Sequence, residues 1–218
     1  MIRAGKVYVN EVIVDKPGTL VPNEATLRYN WGNKYVSRGG LKLEGALNAF
    51  KIDPTGMACV DVGASSGGFT DCLLQHGACH VYAVDVAYGQ LAWSLRNDPR
   101  VTVLERCNIR TFASQQIPAE LDLAVFDTSF VSLTKVIPPV LCRFKSSIAI
   151  VALIKPQFEL PKTLVEPGGL VNSKMNRWRA VEKIQDFALS QKMLVHGVIP
   201  ATIKGAKGNQ EYLIYLTK

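Results

Sequence analysis

The sequence predicts an α/β fold: an open, mostly parallel sheet with helices on both faces and an antiparallel hairpin at one side. Three observations predict it. After D-P-T-G at 53–56, short apolar runs alternate with helix-like segments. One of those runs, IAIVALI at 148–154, is apolar throughout, as a parallel strand covered on both faces should be. The last two runs, MLVHGVIP and QEYLIYL, have no helical pattern between them, only the basic segment ATIKGAKGN, so they should pair antiparallel.

The first thirty residues read as short β-like runs, KVYVN, EVIVD and KPGTLV, with P-G as a turn signal. They are too few to hold a core of their own. From Ser37 the pattern becomes helical, with Leu41, Leu43, Ala46, Leu47 and Phe50 near helical spacing. MACVDVG then reads as a buried strand, GGFTDCLLQHG as a helix stopped by glycine, and HVYAVDV as a second strand. A short helix around GQLAWSL follows, then strands VTVLE and LDLAVFD. LTKVIPPVLCRF is a helix that Pro138 and Pro139 confine or kink. After strand SSIAIVALIK, a Pro/Gly-rich loop leads to the helix SKMNRWRAVEKIQDFALSQ and the closing pair of strands.

At 218 residues the chain can bury one sizeable core. Its longest aliphatic run falls far short of the ~18 residues that suggest a membrane span, and MIRAGKVYVN lacks a signal peptide's apolar centre. These features predict a cytoplasmic protein without membrane association. The five cysteines (59, 72, 79, 107, 142) contain no C-x-x-C pair, and His76, His80 and His196 form no ligand-spaced cluster with them. Buried free thiols and no metal are expected. The net charge of +7 is unevenly spread. Residues 1–40 hold six Lys/Arg against three Asp/Glu, 41–154 hold nine against ten, and 155–218 hold ten against five. Two basic ends flank a nearly neutral middle, an arrangement that suits a polyanion such as nucleic acid and equally describes a solvated surface.

The segment CVDVGASSGGFTD, 59–71, joins the first strand of the sheet to a helix. In open α/β sheets ligands bind beyond the carboxyl ends of the strands. No Gly-Lys-Ser/Thr follows, so this is not a phosphate-binding P-loop, and Gly63, Gly67 and Gly68 are spaced wrongly for G-x-G-x-x-G. Asp85 ends the next strand 24 residues after Asp61, where a carboxylate can take a ribose hydroxyl pair. A nucleoside without a pyrophosphate fits such a site, and S-adenosylmethionine is one. Asp61 is then a candidate to orient waters or the ligand's ammonium, with the glycines letting its tail lie on the backbone.

Four further polar residues stand at element ends: Lys42 on the first helix, Asp127 in FDTSF, Lys155 in LIKP and Glu211 in NQEYLIYL. Two lysines and two carboxylates suit activation of a hydroxyl nucleophile. A lysine that ordinarily titrates near ~10.4 must lose its proton to serve as a base, and burial or a second ammonium promotes this. The first turns of the helix after Ser173 carry Lys174, Arg177 and Arg179, where the helix dipole disfavours cations; a bound phosphate backbone would offset that repulsion. Arg3, Lys6, Arg38, Lys204 and Lys207 complete the basic residues expected to meet RNA.

The chain resembles the hemolysin-A-type (TlyA) family of ribosomal RNA 2′-O-ribose methyltransferases, related to the FtsJ-like enzymes. The resemblance rests on YVSRGGLKLEGAL, DVGASSGGFTD, AVDVAYGQL, ERCNIR, FDTSFVSL, LIKPQFE and IKGAKGNQEY in that order. It implies a Rossmann-like methyltransferase sheet with a Lys42–Asp127–Lys155–Glu211 tetrad. It also implies S-adenosylmethionine held by Gly63, Ala64, Ser65, Ser66, Gly67, Gly68 and Phe69, with Asp85 on the ribose side, Asn108 toward the adenine, and Val86 and Asp127 as further cofactor-binding residues. GKVYVN…KPGTLV resembles the last part of an S4 RNA-binding domain. The expected organisation is therefore a partial S4-like segment at 1–30, a linker at 31–40 and a methyltransferase domain at 41–218, with ribosomal RNA or subunits as partner. Ala87 stands where the family usually has glycine. Two other readings remain open: a nicotinamide-dependent oxidoreductase, which the glycine spacing disfavours, and an RNA-binding or assembly protein that keeps the fold without turnover.

Overall fold

The computed structural model describes residues 2, 7–29, 34–111, 117, 120–141, 147 and 149–218. The chain divides into two compact units, Met1–Lys34 and Tyr35–Lys218. In the first, β1 (Val7–Val9) pairs antiparallel with β2 (Val12–Val14) and β3 (Leu27–Tyr29), giving the order β2-β1-β3. KPGTLV, expected as a strand, is instead turn and irregular chain; Gly18 at φ 92° closes the turn, and the third strand comes from Leu27–Tyr29. Arg28 joins this sheet to itself, forking onto Glu11 and lying 4.3 Å over the Tyr8 ring.

Among its described residues the second unit holds seven strands: β4 (Ala58–Val62), β5 (His80–Val84), β6 (Val101–Leu104), β7 (Leu123–Phe126), β8 (Ala149–Ile154), β9 (Leu194–Pro200) and β10 (Tyr212–Thr217). Their order is β6-β5-β4-β7-β8-β10-β9. β4 to β8 pair in parallel, whereas β10 runs antiparallel between β8 and β9. β8 is buried from Ile150 to Ile154, which is why its sequence shows no alternation. The chain steps outward from β4 in both directions, to β5 and β6 on one side and to β7 and β8 on the other. The crevice where strand order reverses therefore opens at the carboxyl end of β4, directly at the glycine turn.

Helices cover both faces. On one, α1 (Gly39–Phe50) and α2 (Gly68–Gln75) bury Leu43, Leu47, Phe69 and Leu73. On the other, α7 (Lys174–Ser190) buries Ala180, Val181, Ile184 and Ala188, a three-to-four residue spacing that marks one helical stripe. Ser173 caps α7 by accepting a hydrogen bond from Asn176 N. Between them, α3 (Trp93–Arg96) is short, and Pro138 splits the expected LTKVIPPVLCRF helix into α4 (Leu133–Val136) and α5 (Pro138–Leu141). Cys142–Phe144 of that expectation lie outside the described residues. A single turn, α6 (Pro156–Glu159), follows β8.

Tyr35–Gly40, read as linker from the sequence, pack into this unit: Tyr35 is buried, and Asp71 accepts a hydrogen bond from Val36 N. Among the cysteines, Cys59 and Cys72 are buried as expected, and burial pushes the Cys59 thiol's pKa well up. Cys79, just before β5, is exposed and Cys107, in the loop after β6, is half-buried; Cys142 is outside the described residues.

Candidate active site

The turn after β4 is built around close approaches that only glycine allows. A Cβ on Gly63, at φ 88°, would come within 2.7 Å of the Asp127 carbonyl oxygen. One on Gly68 would overlap Ser37 Oγ and lie 2.9 Å from Gly40 N. The turn thus presses against β7's end on one side and the start of α1 on the other. Asp85 secures it from β5, accepting hydrogen bonds from Ser65 N at 2.7 Å and Ala87 N at 2.8 Å. Ala87 itself has no positive φ, so the departure from glycine costs its backbone nothing.

Two cavities meet along this turn, sharing Gly63, Ser65 and Asp127. The larger, about 1240 Å³, runs past Asp85, Val86, Gln90 and Asn108 and continues to Phe130, Phe158 and Lys183. The smaller, about 230 Å³, is walled by Ala64, Ser66, Gly68 and Phe69, with Arg38, Lys42 and Lys204 around it. A nucleoside with a charged aliphatic tail fits this shape: the Asp85 carboxylate on one side of the turn, a narrow backbone-lined channel on the other. Asn108 Oδ1 is engaged by Arg110 N and Nε, which fixes its amide at the cavity wall.

Two of the expected cofactor residues turn away from both cavities. Asp61 is fully buried, its Oδ2 accepting from Thr70 Oγ1 at 2.7 Å and its Oδ1 without a hydrogen-bond partner among the described residues. It supports the turn from beneath rather than lining it. Gly67, N-cap of α2 at φ 97°, faces Leu91 and Leu95 instead of the ligand space.

Burial pushes the Asp61 carboxyl up to about 7, against the lowering pull of the Thr70 hydroxyl. An unperturbed aspartate titrates at 3.8. Between those values the folded protein holds the proton that the unfolded chain has released, so the Asp61 contribution to stability falls as pH rises from about 4 to about 7 and levels off above. Asp61→Asn keeps the bond from Thr70 and removes the titration. Urea unfolding across pH 4–9 should show the variant nearly matching the parent at the acid end and exceeding it above pH 7. Parallel curves would contradict this assignment.

The four polar residues singled out at element ends come together as two ion pairs. Lys42 Nζ lies 2.6 Å from Glu211 Oε2, and both residues are buried. Lys155 Nζ lies 2.6 Å from Asp127 Oδ1 as an ion pair off hydrogen-bond alignment, while it donates a hydrogen bond to Ser129 Oγ at 2.9 Å. Lys42 and Asp127 line the same small cavity, so the two pairs meet at the cavity the glycine turn encloses. Ser129 escaped sequence reasoning, although it stands two residues after Asp127 in FDTSF. Glu159 also escaped it. This buried carboxylate accepts from Ser132 Oγ and Leu133 N and pairs with Lys183 at 3.2 Å, fastening the loop that carries Asp127 and Ser129.

The basic residues are placed less uniformly. Arg38 and Lys204 are exposed at the rim of the small cavity. Lys207 donates to Gly168 O, and Lys174 and Arg179 are exposed on α7, the latter bonded to Asn176 Oδ1. Arg177 differs from expectation: its Nη1 is turned back onto the Val171 and Asn172 carbonyls, so it braces the helix entry instead of facing a phosphate. Arg3 and Lys6 lie outside the described residues. Among the described residues no cluster of His, Cys, Asp and Glu has the makings of a metal site, and no helix is long and apolar enough to cross a membrane.

Fold and site together define the S-adenosylmethionine-dependent methyltransferase class of α/β proteins. Its solved structures share this fold: one from Mesorhizobium loti superposes with a TM-score of 0.59 at 15% identity, covering 80% of this chain and 96% of that one. The chain belongs to the FtsJ-like methyltransferase family, whose pattern matches residues 35–218. It is 45% identical over 218 residues to the 16S/23S rRNA (cytidine-2′-O)-methyltransferase TlyA of Mycobacterium tuberculosis, spanning 99% of this chain and 81% of the relative. It is also 40% identical to Hemolysin A of Brachyspira hyodysenteriae over 99% of this chain and 90% of that protein. A hemolysin-like protein from Streptococcus thermophilus superposes with a TM-score of 0.81 at 37% identity, over 100% of this chain and 80% of that one.

Proposed function

We propose that the protein transfers a methyl group from S-adenosylmethionine to a ribose 2′-hydroxyl of ribosomal RNA. The observation that carries this reading is the pairing of Lys42 with Glu211 and Lys155 with Asp127 beside the glycine turn. The cofactor supplies an electrophilic methyl on a sulfonium; a ribose hydroxyl near neutral pH is a poor nucleophile toward it. Lys155, in its neutral form, takes the hydroxyl proton on Nζ, which Asp127 and Ser129 hold in one place. Lys42 and Glu211 fix the hydroxyl's approach from the other side of the cavity, each offsetting the other's charge. Asp85 takes the cofactor's ribose, Asn108 and Val86 border its base, and Gly63, Ala64, Ser65, Ser66, Gly68 and Phe69 cradle its tail.

Ribosomal RNA as substrate is supported by the Mycobacterium tuberculosis relative, named as a 16S/23S rRNA (cytidine-2′-O)-methyltransferase, and by the basic rim of Arg38 and Lys204 at the small cavity. The first unit, with Arg28 and the expected Arg3 and Lys6, serves as an S4-like RNA-binding segment joined to the methyltransferase unit, and the protein works in the cytoplasm. The test is transfer of labelled methyl from S-adenosylmethionine to purified ribosomal subunits lacking the modification. Label in RNA of one or both subunits is expected, falling steeply as salt is raised, since phosphate contacts dominate such binding. Cofactor binding without label in either subunit would overturn the choice of substrate.

A further inference from the structure

The connection between β9 and β10, residues 201–211, passes directly over the Lys42–Glu211 pair and is held at both ends. Thr202 Oγ1 donates to Leu41 O at 3.0 Å, next to Lys42. At the far end the buried Asn209 accepts from Val171 N at 2.9 Å and donates to Gly169 O at 2.7 Å. Within the loop, Gly205 N donates to Asn209 O and Gly208 N to Gly205 O, closing a tight turn. Gly205 is the point at which this turn touches the site. A Cβ there would overlap Glu211 Oε1 and approach Glu211 Cδ to 2.9 Å.

Nothing in the backbone demands glycine at this position, because Gly205, unlike Gly208, does not have a positive φ. Its lack of a side chain has one use on view: space for the Glu211 carboxylate. We propose that Gly205 is a positioning residue for the reaction, its bare Cα forming the floor on which Glu211 rests while its other oxygen, Oε2, meets Lys42 Nζ. The inference rests on the reading of Lys42 and Glu211 as part of the transfer machinery. The loop is pinned by Thr202 and Asn209 and cannot retreat. The carboxylate, at the free end of a flexible side chain, is what an added methyl displaces. The fold therefore tolerates alanine, and the 2.6 Å contact with Lys42 does not.

Gly205→Ala should lower kcat for methyl transfer about tenfold or more, with the S-adenosylmethionine Kd changed less than about twofold and Tm nearly unmoved. A double-mutant cycle separates positioning from a general structural role. Glu211→Asp keeps a charge for Lys42 and withdraws the carboxylate by one methylene, out of reach of the new Cβ. The Gly205→Ala/Glu211→Asp protein should then be no slower than Glu211→Asp alone. A wild-type kcat in Gly205→Ala, or losses that simply multiply in the double variant, would overturn the proposal. Should Glu211→Asp and Glu211→Ala both turn over normally, the reading of the tetrad itself would have failed, and the role of Gly205 with it.

Discussion

Replacing Lys155 by alanine is expected to cut methyl transfer by about a thousandfold while leaving S-adenosylmethionine affinity within about twofold. The asymmetry follows from where Lys155 stands. It follows the carboxyl end of β8, with its Nζ directed at Asp127 and Ser129, and it is absent from the linings of both cavities that would hold the cofactor. Alanine therefore removes the proton acceptor and leaves the cofactor's walls in place. Lys155→Arg is expected to be as inactive as alanine, since a guanidinium keeps its proton and cannot serve as a base. Calorimetric titration of the cofactor beside single-turnover transfer checks both halves. Turnover within about tenfold of the parent in either variant would remove Lys155 from the chemistry.

Gly63→Ala should damage binding and stability together. Gly63 sits at φ 88°, where a Cβ costs about 1–2 kcal/mol, and the added atom would press on the Asp127 carbonyl at 2.7 Å. Because Gly63 and Asp127 border both cavities, relief of that clash moves the cofactor's wall and the partner of Lys155 at once. The expected result is a fall of about 2 kcal/mol in unfolding free energy and at least a tenfold weaker S-adenosylmethionine Kd, equivalent to about 1.4 kcal/mol. Urea unfolding and calorimetry measure the two. Gly18, whose added Cβ would meet nothing within 4 Å, is the control: at φ 92° its alanine variant should show backbone strain without loss of affinity.

What could be read from the sequence was whatever a strand or a helix end fixes locally. Asp127 and Lys155 were legible because a charged residue at the end of an apolar strand has few places to go, and the parallel sheet brings such ends to one edge, which Glu211 reaches because antiparallel β10 starts there. The antiparallel entry of β10 between β8 and β9 was half-legible: the missing helix signalled a hairpin, but nothing local says that β10 inserts beside β8. Asp61 and Gly67 misled for a shared reason. A turn motif gives spacing and not the direction each residue faces, and here the Asp61 side chain points into the core while the Gly67 Cα faces Leu91 and Leu95. Arg177 is similar: charge placement suggested a phosphate, while the carbonyls of Val171 and Asn172 were nearer partners. Ser129, Glu159 and Gly205 act through tertiary contacts spanning 26, 26 and six residues, which no periodicity announces. KPGTLV failed as a strand because its proline and glycine were spent on the turn itself.

The central claim is that this site methylates a ribose oxygen, and the product's chemistry tests it most directly. Ribosomal subunits labelled by the wild-type protein should be hydrolysed in alkali and the label followed. A 2′-O-methyl group blocks attack of that oxygen on the neighbouring phosphate, so the label should survive in alkali-resistant dinucleotides, and Lys155→Ala should place none there. Label released in ordinary mononucleotides would put the methyl on a base and contradict the account.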